Sequence, residues 1–73
     1  MSITTKILFE GISDTWKFEV DNNGYIRTEI NEMYSDTLYD LGKIKDIKHL
    51  EKVVKHLLNC WQVESYSEMI IVV

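Results

Sequence analysis

His49, His56 and Cys60 are the side chains of this 73-residue chain most suited to metal ligation or nucleophilic chemistry near neutral pH. Their spacing limits what they can do. On a helix, His49 and His56 stand about 10 Å apart along the axis and cannot chelate one ion together. His56 and Cys60 are four residues apart and could share a metal. Two further ligands would have to come from elsewhere, and no CxxC or HxxxH pattern supplies them. No metal and no cofactor is therefore expected. As a nucleophile, Cys60 would need a cation or a helix N-terminus to hold it as thiolate. It falls instead at the end of a helical pattern, where the dipole opposes the negative charge. Gly11, Gly24 and Gly42 are isolated turn residues, so no phosphate-cradling loop or nucleophile elbow is present. The strand carboxylates alternate with apolar residues, as on a solvated sheet face, rather than pairing for acid–base work. An enzyme is not expected, and no catalytic residue is assigned.

The charges offer binding chemistry instead. Residues 10–40 carry eight acids against Lys17 and Arg27, whereas residues 43–55 carry five lysines against Asp46 and Glu51. This asymmetry predicts an acidic sheet region and a basic helix surface. Within the acidic stretch, Glu29, Glu32, Asp36 and Asp40 interleave with Tyr25, Tyr34 and Tyr39. Tyrosine anchors inside a charged rim are a common make-up for protein interfaces, and these seven residues form the expected partner-binding set. The plainer reading is a set of acids that solubilise a sheet edge. The alternative site is the lysine face, Lys48, Lys52 and Lys55, which could neutralise nucleic-acid phosphates. Against it, the outward sheet positions Lys17, Glu19, Arg27 and Glu29 are mixed in sign, and no aromatic–basic interleave of the RNA-binding kind occurs.

The element that must organise these residues is a helix over about 46–61. Ile47, Leu50, Val53, Val54, Leu57, Leu58 and Trp61 fall within an arc of about 140° on a helical wheel, the width of a core-facing stripe. Asp46 is placed to cap it. Ahead of it, alternation predicts strands over Ile3–Phe9, Thr15–Val20 and Tyr25–Asn31, with a turn over Gly11–Asp14 and a hairpin at Asp21-Asn22-Asn23-Gly24. Residues 32–42 admit two readings. One is a short helix from a Ser35 cap to Gly42; the other, which we favour, is a fourth strand over Thr37–Ile44 that runs straight into the helix. The apolar tail, Tyr66–Val73, reads as a last strand, in the same sheet or added to a partner's.

These elements imply an α+β fold: a small antiparallel sheet of three to five strands with the one helix packed on one face. Its core should hold Ile7, Phe9, Trp16, Phe18, Val20, Ile26, Ile30, Leu50, Val54, Leu57, Leu58 and Trp61. The chain, 1–73, is expected to form a single domain. A fold of this size has a thin stability margin and no disulfide to help it, so a homo-oligomer joined through Met69–Val73 is an energetically reasonable expectation. One free cysteine without a signal peptide points to the reducing cytoplasm. The longest apolar run, Met69–Val73, is far short of the roughly 20 residues that span a bilayer. Richness in Lys, Ile and Asn with little Arg or Ala suits an AT-rich source such as a low-GC bacterium or its phages. The reading that gathers these features is a small noncatalytic protein-binding module, such as a phage or mobile-element inhibitor acting in the host cytoplasm through residues 25–40.

Overall fold

A computed structural model of the chain describes every residue except Glu64 and Glu68; for Phe9 it describes the backbone alone. The expected core position of Phe9 thus lies outside the described side chains. The architecture is α+β: a five-stranded antiparallel sheet with one helix across one face. Strands β1 (Ser2–Phe9), β2 (Ile12–Val20), β3 (Ile26–Ile30) and β4 (Tyr34–Leu38) form a meander. A single 3-10 turn, Tyr39–Leu41, leads through residues 42–45 to helix α1 (Ile47–Cys60). The chain closes with β5 (Ile70–Val72), which lies beside β1, so the spatial order is β4-β3-β2-β1-β5. Of the two placements open to the tail, the structure has the one within the same sheet. Among the described residues, no helix is long and apolar enough to cross a membrane.

Period-2 alternation sets the two faces of the sheet. Ile3, Thr5 and Ile7 share a face with Trp16, Phe18, Val20, Ile26 and Thr28: Ile3 stands opposite Phe18, Thr5 opposite Trp16, Phe18 opposite Thr28 and Val20 opposite Ile26, and Ile7 follows by alternation along β1. That face receives Leu50, Val54, Leu57 and Leu58 of α1, together with Ile44 from the loop before it. Each fully buried large side chain contributes about 1.5–3 kcal/mol. Asp46 caps α1 as expected: its carboxylate accepts the His49 N–H at 2.8 Å, while the His49 imidazole accepts the Lys45 N–H at 3.0 Å.

Several boundaries differ from the sequence reading, each for a backbone reason. β2 starts at Ile12, not Thr15, because Glu10 and Gly11 alone make the turn, both with positive φ, 49° and 80°. The hairpin at 21–24 is present but broader than a two-residue loop. The Asp21 carboxylate accepts the N–H groups of Asn23 and Tyr25, and only Gly24 takes positive φ. Gly24 also gives its carbonyl to the Ile44 N–H at 2.8 Å, which draws the loop 42–45 against the hairpin and brings Ile44 into the core.

The fourth strand lies over Tyr34–Leu38 rather than Thr37–Ile44. Asn31 and Glu32 are both left-handed, so the chain reverses immediately after β3. Asn31 locks that reversal: its backbone N–H donates to the Thr15 carbonyl, its Oδ1 accepts the Thr15 N–H, and its Nδ2 donates to Asp14. The short-helix reading survives only as the 3-10 turn that ends at Gly42. Trp61 is the last correction. It stands outside the helix as its C-cap and is 42% exposed, not a core residue.

Candidate functional site

The seven residues of the tyrosine–acid set do not share one surface. Glu29 lies on the face that the helix leaves open, directly opposite Lys17 on β2 and Ser35 on β4. Glu32 borders the same open face, in a shallow hollow of about 400 Å3 that it shares with Thr15, Lys17 and Glu29. Both carboxylates act on Lys17. Its pKa is raised, first by the hydrogen bond to Glu19 at 2.8 Å and more weakly by Glu29 and Glu32. Glu19 is correspondingly held below its ordinary value by Lys17. Glu19 also stands opposite Arg27, whose Nε donates to Ser35 Oγ at 3.0 Å. The open face thus carries charges of both signs, of which Lys17 and Glu19 form an ion pair.

The remaining residues gather elsewhere. Asp36 stands opposite Thr28, and Tyr34 opposite Ile30, so both project to the helix side of the sheet. The 3-10 turn then carries Tyr39 and Asp40 towards the C-terminal half of α1. Asp36, Tyr39 and Asp40, with Leu41, Leu57 and Trp61, line a groove of about 360 Å3 between β4 and the helix. Tyr25 supports this groove without lining it. Its ring meets that of Tyr39 edge-on at 5.1 Å, and Lys43 Nζ lies 6.0 Å from the Tyr25 centroid. Tyr34, 56% exposed, stands two residues before Asp36 on the same face.

Trp61 is the residue of this site that sequence reasoning missed. One side of its indole packs on Trp16 (centroids 5.3 Å apart) and Phe18 (6.4 Å), while the rest is bare. The chain holds it there by a Schellman ending. The Val63 N–H donates to the Leu58 carbonyl at 2.9 Å, the Gln62 N–H donates to Asn59, and Gln62 takes the left-handed conformation with φ 57°. On its other side Trp61 borders a second groove, of about 410 Å3, with Ile7, Leu8, Gln62 and Val63. A rigid, half-exposed aromatic between two grooves has the character of an interface anchor. Position 61 closes the apolar stripe on the wheel; only the missing helical turn beyond it hinted at exposure.

The alternative set is spread along the outer face of α1. Lys48, Lys52 and Lys55 are all exposed, and Lys55 is bound to Glu51 at 3.0 Å, an i,i+4 pair. His56 Nε2 lies 3.4 Å from the exposed Cys60 Sγ, and no third His, Cys, Asp or Glu among the described residues joins them in a metal-binding group.

Compared with known proteins, the chain matches no family model, no curated sequence and no solved structure.

Proposed function

We propose that the chain is a noncatalytic protein-binding module whose docking surface is the groove between β4 and the end of α1. The observation that carries this reading is the convergence of Asp36, Tyr39 and Asp40 with the half-bare Trp61 around one groove. Apolar and aromatic walls under a rim of two carboxylates suit a partner that inserts an apolar side chain flanked by Lys or Arg. Tyr34 extends the surface, and Tyr25 braces Tyr39 from behind. Glu29 and Glu32 are left outside it, beside Lys17 on the opposite face. Excess acid and composition fit a phage or mobile-element protein that inhibits a host target in the host cytoplasm.

The double substitution Tyr34→Ala with Tyr39→Ala removes exposed rings and no fully buried side chain. It should abolish capture of the partner from source-organism lysate while leaving the thermal unfolding curve nearly unchanged. Asp36→Lys should do the same through charge. Capture that persists in both variants would refute the groove as the docking surface. A nuclease arm in the same experiment addresses the second reading, favoured by the exposure of Lys48 and Lys52 opposite the acidic edge. Recovered material that vanishes with nuclease, and with charge reversal of Lys48, Lys52 and Lys55, would move the function to the helix face.

A further inference from the structure

The two edges of the sheet are built differently. At the β4 edge, the alternation of the antiparallel ladder turns the Thr37 N–H outward, and the Asp36 carboxylate accepts it at 2.9 Å. Asp36 itself, with Glu32 before the strand and Asp40 after it, gives that edge a concentration of negative charge. An incoming strand would have to displace a charged cap, which is a recognised way of blocking edge pairing.

Among the described residues, the β5 edge has no such cap. The Val20 N–H donates to the Met1 carbonyl, which fixes which β1 residues bond to β2. By alternation, Ile3 bonds to β2, whereas Ser2 and Thr4 turn to β5 and bond to Val72 and Ile70. Ile71, between them, therefore directs its own N–H and C=O away from the sheet. Ile70, Ile71 and Val72 are 65%, 41% and 56% exposed, and residues 69–73 carry no charged side chain. The side chains of Ile70 and Val72 lie on the open face, and that of Ile71 on the helix side.

We propose that β5 is a self-association edge, on which a second copy of this chain adds its own β5 antiparallel, with the two-fold axis at Ile71. An antiparallel pair centred on one residue is self-complementary: each Ile71 would donate its N–H to the other's carbonyl and accept in return. In that register Ile70 stands opposite the partner's Val72 on one face, and the two Ile71 side chains meet on the other. Charge also selects a second copy. The acids of residues 10–40 are concentrated on β2–β4 and their turns, on the far side of β1, so two chains carrying −4 each meet along strands without charged side chains, with only the mutually paired Glu51 and Lys55 of α1 beside Ile71. Because β5 has only three residues, the contact falls short of the about 800 Å2 per partner typical of stable complexes. The dimer should accordingly dissociate in the micromolar range.

Sedimentation equilibrium of the full chain over a concentration series tests this directly. The expected result is a rise from monomer to dimer mass and no further, with hydrogen exchange of the Ile71 amide slowing over the same range while that of Ser35 on the β4 edge stays constant. Ile71→Lys places like charges across the axis and should hold the chain as a monomer, with an unchanged melting curve at low concentration. A wild-type chain that stays monomeric to about 1 mM, or a dimer that forms without protection of Ile71, would overturn the assignment. So would an Ile71→Lys variant that folds and dimerises like the parent.

Discussion

Thr28 is the least comfortable residue of the core. It is 4% exposed, sits beside Phe18 on the helix-covered face, and its Oγ1 has no hydrogen-bond partner among the described residues. Thr5, its buried counterpart on β1, is satisfied by donating to the Ser67 carbonyl at 2.9 Å. The physics of the two threonines therefore differs although both obey the alternation. A buried hydroxyl without a partner carries a desolvation penalty of about 1–3 kcal/mol, whereas valine of nearly the same shape carries none. Thr28→Val should therefore stabilise the fold by about 1 kcal/mol in urea denaturation. The matching Thr5→Val should destabilise it, because it removes the hydrogen bond that Thr5 Oγ1 donates to the Ser67 carbonyl. Equal effects at the two sites would mean that Oγ1 of Thr28 is bonded in solution. The indole N–H of Trp16 is likewise buried without a partner among the described residues, and it lies under Trp61, the anchor of the proposed docking groove.

Each element was readable to the extent that its own local pattern decided it. The apolar stripe and the Asp46 cap placed α1 within a residue of its observed ends, because both signals act inside one helix. Alternation likewise placed β1, β3 and the charged outward row Lys17, Glu19, Arg27 and Glu29. Backbone decisions made by residues with no strong signature could not be read. Glu10, Asn31, Glu32 and Gln62 all adopt positive φ although none is glycine, and each sets a boundary that the sequence reading misplaced or missed. Asn31 and Glu32 moved β4 towards the N-terminus and thereby split the acidic stretch between two faces. Gln62 ended the helix one residue before its last apolar position and left Trp61 half in water. A helix ending at this conformation favours glycine, and a longer side chain there bears strain of about 1 kcal/mol. Gln62→Gly should thus raise the melting temperature by a few degrees, since about 1 kcal/mol shifts a domain of this size by roughly 4–8 °C. A lower melting temperature would show that the Gln62 side chain makes a stabilising contact.

Over the whole molecule, two electrostatic effects oppose each other as pH falls. Twelve acids against eight bases give a net charge of −4, so protonating carboxylates relieves repulsion, above all near the acidic β4 edge. On the open face the sign is reversed. Glu19 is held below its ordinary value of 4.5 by Lys17, so the pair stabilises the folded state above that value and loses its contribution as pH falls through the lowered one. Lys17 is raised above 10.5 by the same contact, so the contribution also fades when pH rises through its folded value. Both side chains are well exposed and the pair is open to screening, so its effect is small beside that of the core. A single pH titration of stability would therefore mix the two effects. Comparing the parent with Lys17→Gln separates them, because the variant keeps every carboxylate of the β4 edge. The parent should melt slightly higher at neutral pH and low salt, and the gap should close both on acidification below pH 4.5 and on adding salt. A gap that persisted unchanged in acid would show that Lys17 acts through the packing of its aliphatic stem on the sheet rather than through its charge.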